Sequence, residues 1–502
     1  MLESFLPDPS LKQLAKKLLL AGLFFHLLAA WFNVGYYHPD EYFQVIEFAS
    51  AKSGITPEKD LAWEYNAAIR PAFQPSIVVG VSNFLHSSNP VFISFVMRLI
   101  SSVTSFLVTF FFILVSLSQV HSLKIKKAIL YLSTLLWFMP VVHAHFSSEN
   151  WTAIFFFSGL IVLNYVINNN TKKKRPGALF LCGILLGLAY DIRFQTGIMI
   201  ACLMLWLIVY RAIKFSGIFV ILLGIILSVF AGVLIDRWFY DRWVFTAYNY
   251  FRINIIEGRT SDFGVMPWWD YFRMIFINII PPFSIIIIGA VAIFFIRYKR
   301  HILTWVCLPF ILLHILNGHK ELRFLFPLIP ALPLITGLAF DGEIKWTWWK
   351  RMIKLISQKT ESRLFSIFIA ANVVLMSIAS LKPANENFPV YDFIYSRYNE
   401  KQVDLYTATG NPYILVGLPV DFYKPRKLSV IELQNDSVYQ QNSAVDKTIS
   451  LYLEKGYSTV TPSFLSGKKY KLVYQNIPGW LTKFNFNNWL KRANAWQVYE
   501  IQ

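Results

Sequence analysis

Long apolar runs recur along this chain and limit how it can fold. They fall at 18–32, 90–118, 128–146, 151–167, 178–190, 197–210, 217–235, 274–296, 302–316, 322–340 and 364–381. Several approach the roughly 20 residues that a helix needs to cross about 30 Å of hydrocarbon, and the shorter ones need neighbours to help them span. Segment 74–87, short and interrupted by Asn83, reads either as a dip into the membrane or as a separate span. With 55% hydrophobic and only 15% charged residues, the chain is not disordered, and a soluble enzyme of this length rarely reaches such a composition. The expectation is a multi-pass α-helical membrane protein.

The first run follows Lys12, Lys16 and Lys17, and the bulky, aromatic 31–37 stretch after it holds no small-residue cleavage site. It reads as an uncleaved first span with a cytoplasmic N-terminus. Cys182, Cys202 and Cys307 all lie in apolar runs, which gives neither a disulfide framework nor a thiol-rich metal site.

The excess of 47 basic over 29 acidic residues fits cytoplasmic loops better than nucleic-acid binding, because the clusters sit between spans rather than in one patch. They are Lys124/Lys126/Lys127, Lys172/Lys173/Lys174/Arg175, Arg211/Lys214, Arg297/Lys299/Arg300 and the 345–363 stretch with Lys345, Lys350, Arg351 and Lys354. If 71–118 makes one net crossing, all of these face the cytoplasm. The loops 36–70, 143–150, 191–195, 236–272 and 317–323 and the tail after 382 then share the outer face, and every unusual polar cluster lies in them. The tail has strand-like stretches at 403–407, 428–433 and 470–474 separated by Gly, Pro and Asn, so a small α/β domain is expected over 382–502, beside a membrane body over 1–381. No long repeat supports an inverted-repeat transporter. There is no Walker A loop, no GxGxxG after a strand and no HExxH.

The first outer loop reads His38-Pro39-Asp40-Glu41-Tyr42-Phe43-Gln44. Pro39 disfavours helix at His38, so Asp40 suits the N-cap of a helix running to about Ala49. Tyr42, Val45, Ile46 and Ala49 share one face, which would let that helix lie on the membrane. Two adjacent carboxylates at the membrane surface suit a general base acting on a sugar hydroxyl; a plain N-cap is the simpler reading of Asp40 alone. Trp63-Glu64-Tyr65, then Ile69-Arg70-Pro71, place aromatics beside a carboxylate, as sugar sites do, although single aromatics also anchor at interfaces.

The loop Asn317-Gly318-His319-Lys320-Glu321-Leu322-Arg323 sets Lys320 and Arg323 on the outer side, against the positive-inside trend, where a lipid phosphate is the natural ligand. The plainer alternative pairs Glu321 with Lys320 or a neighbouring helix. The 236–272 loop, with Arg237, Arg242, Arg252, Arg259 and Pro267-Trp268-Trp269, suits a phosphorylated glycolipid or a membrane-anchored loop. Arg193 and Gln195 lie between two runs, with a buried Asp191–Arg193 pair as the plainer reading. His143 and His145 fix no metal set by their spacing.

Taken together, residues 15–340 resemble glycosyltransferase family 22, the membrane mannosyltransferases that use a polyprenyl-phosphate sugar. The resemblance rests on His38-Pro39-Asp40-Glu41 with Gln44, Trp63-Glu64-Tyr65…Arg70-Pro71, Arg193-Phe194-Gln195, Phe263-Gly264…Pro267-Trp268-Trp269, and His319-Lys320-Glu321…Arg323-Phe324. The His-Pro-Asp-Glu form is most similar to the branch acting in glycosylphosphatidylinositol assembly. His145-Phe146-Ser147-Ser148-Glu149-Asn150 keeps only part of the family's usual run there, and Pro71 replaces a more usual serine.

The resemblance implies a GT-C-type body of about 11–12 transmembrane helices. It implies mannose transfer with inversion, from polyprenyl- or dolichyl-phosphate-mannose to a glycolipid, giving an α-linked product. Asp40 would take the acceptor proton, with Glu41 assisting or substituting. His319, Lys320 and Arg323 would hold the leaving phosphate, and His38, Gln44, Trp63, Glu64, Tyr65, Arg70, Arg193, Gln195 and Trp268 would bind substrate. No metal or cofactor is demanded, since phosphate leaves as a stable anion. The expected partners are the two lipid-linked substrates in the membrane, with no nucleic acid. The site would face the lumen of the endoplasmic reticulum or, in a bacterium, the periplasmic side of the inner membrane. A GT-C transferase of another sugar in bacterial envelope synthesis is the alternative; a transporter or lipid-binding protein is the rival of a different class.

Overall fold

A computed structural model describes residues 6–168, 175–342, 358–433, 448–457, 462–493 and 495–502. The cluster Lys172/Lys173/Lys174 and most of the 345–363 cluster lie outside the described residues. Among the described residues six helices are long and apolar enough to cross a membrane: Pro9–Phe32, Pro90–Gln119, Ser148–Asn168, Phe215–Phe239, Leu322–Phe340 and Ser362–Leu381. Four shorter apolar helices join them, Pro176–Ile192, Thr196–Val209, Phe283–Arg297 and Ile302–Leu316. The protein is an integral, multi-pass α-helical membrane protein.

Local chemistry sets where the helices start and break. Pro9–Phe32 opens with Pro9 in its first turn and the Asp8 carboxylate accepting the Leu11 N–H at 3.0 Å. The 128–146 run divides into Leu123–Leu135 and Met139–Ala144, with Pro140 in the first turn of the second. The 274–296 run breaks at Pro281-Pro282 into Asp270–Ile279 and Phe283–Arg297. The 322–340 run begins as a tight 3₁₀ helix, Leu322–Ala331, and continues as an α-helix, Leu332–Phe340. Pro327 and Pro330 supply no N–H there, which weakens the regular α ladder. Segment 74–87 is a 12-residue helix, Phe73–Phe84; at about 1.5 Å per residue it falls short of a bilayer.

The chain divides into two compact units. The first takes Met1–Asn33, Trp63–Gly80 and Val96–Lys382. Its core is built from Phe106, Phe110, Phe156, Phe157, Phe294 and Phe310, all fully buried. Arg175–Ile192 and Phe215–Phe239 pack backbone to backbone: a Cβ on Gly183 would stand 2.2 Å from the Ile221 carbonyl, and one on Gly187 2.5 Å from Ser228 Cβ. That close pairing fixes the C-terminal end of the Arg175–Ile192 helix, after which Arg193 follows.

The second unit takes Val34–Ala62, Val81–Phe95 and Pro383–Gln502. Its strands are β1 (Val403–Thr407), β2 (Ile414–Leu415), β3 (Leu418–Pro419), β4 (Leu428–Glu432), β5 (Ile449–Lys455), β6 (Tyr470–Gln475) and β7 (Trp496–Ile501). Five of them form a mixed sheet in the order β4-β1-β5-β7-β6. β1 runs parallel to β4 and β5, and β7 antiparallel to β5 and β6; β2 and β3 make a small hairpin. The three strands expected in the tail are present as β1, β4 and β6; β5 and β7 are additions to the sheet, and the β2–β3 hairpin is likewise not expected from the sequence.

Residues 34–62 and 81–95 group with the tail in this second unit. The cause is a set of specific contacts. The Asp421 and Phe422 N–H groups donate to Glu47 Oε1 at 2.8 and 3.1 Å. Tyr42 and Tyr36 pack on Phe388 with ring centroids 5.6 and 5.4 Å apart. The left-handed Gly35, at φ 101°, lies against Asn385, where a Cβ would meet it at 2.8 Å.

Candidate functional site

The acidic motif belongs to the second unit. His38, not Asp40, caps the helix: its backbone is extended and its Nδ1 accepts the Asp40 N–H at 3.3 Å. Pro39 causes the shift, since its fixed φ and missing N–H suit the first helical position and leave the cap to the preceding residue. Asp40 and Glu41 then fall in the first turn, where the helix dipole favours negative charge. Their surroundings differ. Asp40 keeps 29% of its side chain exposed, with one oxygen 3.5 Å from His38 Nδ1. Glu41 is buried and accepts the Tyr37 N–H at 3.2 Å.

After Glu41 the winding opens into a π-turn, Tyr42–Ile46, before α-helix resumes at Glu47–Lys52. Gln44, in that turn, is half-buried. The expected membrane-facing stripe is a correction: Tyr42, Val45, Ile46 and Ala49 are buried within the protein, and Tyr42 stacks on Tyr423 as well as meeting Phe388. Sequence reasoning missed Glu47. It is 1% exposed and accepts hydrogen bonds from the Tyr42 and Thr56 hydroxyls besides the two backbone N–H groups of the tail. Burial raises its carboxyl above the ordinary range, and those hydrogen bonds oppose the shift.

The cationic residues gather in the first unit. Glu149, in the first turn of Ser148–Asn168 and 1% exposed, is their hub. Its Oε1 accepts from Arg193 Nη1 at 2.9 Å and from Arg323 Nη1 at 3.1 Å. Arg323 also grips Glu321 through Nε and Nη2, at 2.6 and 3.2 Å, and His319 Nε2 lies 2.9 Å from Glu321 Oε1. Both guanidinium groups lie over the Phe324 ring, each 5.2 Å from its centroid. The Lys320 ammonium donates to the carbonyls of Met266 at 3.1 Å and Asn317 at 2.5 Å. Burial lowers its pKa, and the Asp270 carboxylate opposes that shift. Asp270 is itself paired with Arg273 at 2.6 Å.

Two sequence readings are corrected here. Arg193 pairs with Glu149 rather than Asp191, and Glu321 is held by Arg323 and His319 rather than by Lys320. The loops carrying two motifs are also joined, by the Met266 N–H to the Gly318 carbonyl at 2.9 Å and by His319 Nδ1 to the Gly264 carbonyl at 3.2 Å. Trp268, between them, is 64% exposed. Counting Arg193, Arg273, Lys320 and Arg323 against Glu149, Asp270 and Glu321, the cluster carries one more positive than negative charge, and of these side chains only Arg273 is half-exposed. Such a surplus suits a multivalent anion, whose oxygens take hydrogen bonds that guanidinium and ammonium groups supply.

The remaining predicted residues form an adjoining patch of the same unit. Glu64 and Tyr65 are buried. Arg70 Nη2 lies 3.7 Å from Glu64 Oε1, and its guanidinium is 5.9 Å from the Tyr250 ring centroid. Gln195 donates to the Tyr250 hydroxyl. The Arg259 guanidinium stacks on Trp63 at 3.6 Å. Tyr65 packs on Tyr240 at 5.4 Å, so it serves the protein interior rather than a lipid interface. Among the described residues no group of three or more His, Cys, Asp or Glu side chains is placed to hold a metal ion.

The model of the Alg9-like mannosyltransferase family matches residues 17–416. The chain belongs to that family. Within it, the chain is 30% identical over 175 residues to the probable Dol-P-Man:Man(7)GlcNAc(2)-PP-Dol alpha-1,6-mannosyltransferase of Schizosaccharomyces pombe, a stretch covering 34% of this chain and 31% of that one. It is 26% identical over 341 residues to GPI mannosyltransferase 4 of Saccharomyces cerevisiae, covering 62% and 63%. The chain thus spans less than two thirds of the length of these curated relatives. Among solved structures, ArnT from Cupriavidus metallidurans bound to undecaprenyl phosphate superposes with a TM-score of 0.51 at 12% identity, over 96% of this chain and 97% of that one. At that identity the likeness is one of fold, and it is the GT-C architecture expected from the sequence.

Proposed function

We propose that this Alg9-like family member is an inverting membrane mannosyltransferase, moving mannose from a polyprenyl- or dolichyl-phosphate-mannose donor to a glycolipid acceptor. The observation that carries the reading is the gathering of three buried cations, Arg193 and Arg323 fixed by Glu149 and Glu321 and Lys320 fixed by the Met266 and Asn317 carbonyls. In the reaction the acceptor hydroxyl oxygen attacks the anomeric carbon of mannose. The carbon–oxygen bond to the phosphate breaks, and polyprenyl phosphate departs with the electron pair. The cations stabilise the charge gathering on that phosphate, in a site where water is largely excluded.

Asp40 takes the proton of the attacking hydroxyl. Its partial exposure leaves it accessible to a substrate, whereas Glu41 is buried with an oxygen committed to the Tyr37 N–H. His38 and Gln44 flank the base, while Trp63, Glu64, Tyr65, Arg70, Gln195 and Trp268 contribute to substrate binding. The site faces the lumenal or periplasmic side.

The test uses purified protein with radiolabelled polyprenyl-phosphate-mannose and a panel of glycolipid acceptors. Wild-type transfer that falls by about 100- to 10,000-fold in a folded Asp40→Asn variant supports both the donor class and the base. Undiminished transfer in Asp40→Asn removes the base assignment. Failure to bind the donor, in wild type and Lys320→Ala alike, removes the donor class.

A further inference from the structure

Between β6 and β7 the second unit carries a loop built to hold aromatic rings away from its own core. Trp480, Phe484 and Phe486 are 65%, 52% and 77% exposed. Lys483, Lys491 and Arg492 are exposed beside them, and 476–495 holds no acidic residue. The loop has defined internal structure. Trp489 Nε1 donates to the Phe484 carbonyl at 2.8 Å, Arg492 Nη2 to the Asn487 carbonyl at 3.2 Å, and the Leu490 N–H to Asn485 Oδ1 at 3.1 Å. Asn487 and Asn488 take left-handed φ values of 54° and 50° to turn the chain, and Leu490 alone of this stretch's large apolar side chains is buried as an anchor. Exposed aromatics fixed in this way, rather than tucked inward, mark a surface that meets an apolar partner.

A membrane is within reach by chain continuity alone. The unit begins at Val34, just after Pro9–Phe32, and resumes at Pro383, just after Ser362–Leu381. We propose that 478–492 is an interfacial hook that seats Trp480, Phe484 and Phe486 among the headgroups of the host bilayer, with Lys483, Lys491 and Arg492 on anionic lipid phosphates. Aromatic rings favour that depth, and basic side chains add attraction to the phosphate groups of the lipid headgroups. The inference is independent of the proposed reaction.

The experiment places a nitroxide at Phe486→Cys and, separately, at Trp480→Cys, in full-length protein carrying Cys202→Ser. Ser429→Cys, exposed on the opposite edge strand β4, is the control. In nanodiscs containing phosphatidylglycerol, power saturation should show oxygen collisions dominating over a water-soluble nickel chelate at 480 and 486, with the ratio inverted at 429. Replacing Lys483, Lys491 and Arg492 by Gln should draw the labels back towards water. Nickel-dominated collisions at 480 and 486 would overturn the hook, and so would labels shielded from both agents, which indicates a protein partner.

Discussion

Replacing Glu149 by Gln tests whether the cationic cluster is a single ion-paired unit. The substitution keeps side-chain shape and one carbonyl acceptor but removes the charge that Arg193 and Arg323 share. Arg323 retains Glu321 through two hydrogen bonds. Arg193 retains the Ser148 hydroxyl at 3.1 Å and the neutral amide oxygen left at 149 but no carboxylate, and its buried Nε already lacks a hydrogen-bond partner. Removing one member of a buried pair costs about 3–5 kcal/mol, because the other charge stays behind. With Arg323 still paired, the lower end applies, about 3 kcal/mol, or roughly a hundredfold in the folding equilibrium. Adding Arg193→Met to Glu149→Gln takes away the stranded cation and should recover about 2 kcal/mol as a coupling energy between neighbours. The assay is unfolding in mixed detergent micelles, followed by circular dichroism and checked for reversibility. A Glu149→Gln protein within about 1 kcal/mol of wild type, or simple additivity in the double variant, would refute the hub.

Three further outcomes are expected. Because burial lowers the Lys320 pKa, its ammonium is lost at lower pH than that of an exposed lysine; donor affinity should weaken on an alkaline limb that Lys320→Arg moves upward, read as KM against pH. The stability sign is opposite: between the folded and ordinary values the unfolded chain binds more protons, so Lys320 disfavours folding less as pH rises. Glu47→Ala strips an acceptor from two hydroxyls and two backbone N–H groups; a loss of about 3 kcal/mol is expected, with faster hydrogen exchange at 421–422 as the readout. Gly183→Ala drives a Cβ onto the Ile221 carbonyl and should cost about 1–3 kcal/mol in thermal unfolding, whereas Gly289→Ala, which meets open space, should be near neutral.

What the sequence discloses follows from what is local. Spans announce themselves by length and apolar composition, and cations stand out when they oppose the charge trend of the loops. Partners joined across long separations leave no pattern: Glu149 meets Arg193 and Arg323 at distances of 44 and 174 residues along the chain. Proximity in sequence even misleads. Asp191 lies within a helix and Arg193 just past its end, and residues two apart on a helix do not face each other. Glu321 is extended, so its side chain turns away from adjacent Lys320 and towards Arg323, two residues on. In the tail, β5 and β7 are inner strands with consecutive buried residues, so the alternation that betrays a half-exposed strand is absent.

The π-turn at Tyr42–Ile46 gives the acidic motif an unusual dependence on chain length. Such a turn holds one residue more than α winding accommodates, in effect an insertion tolerated inside a helix. Deleting one of its residues would restore regular winding and swing His38, Asp40 and Glu41 by about 100° around the axis, relative to Glu47. The direction of the carboxylates is therefore a matter of register. Among chains carrying identical His-Pro-Asp-Glu letters, a difference of one residue downstream would re-aim the pair without altering any residue in it.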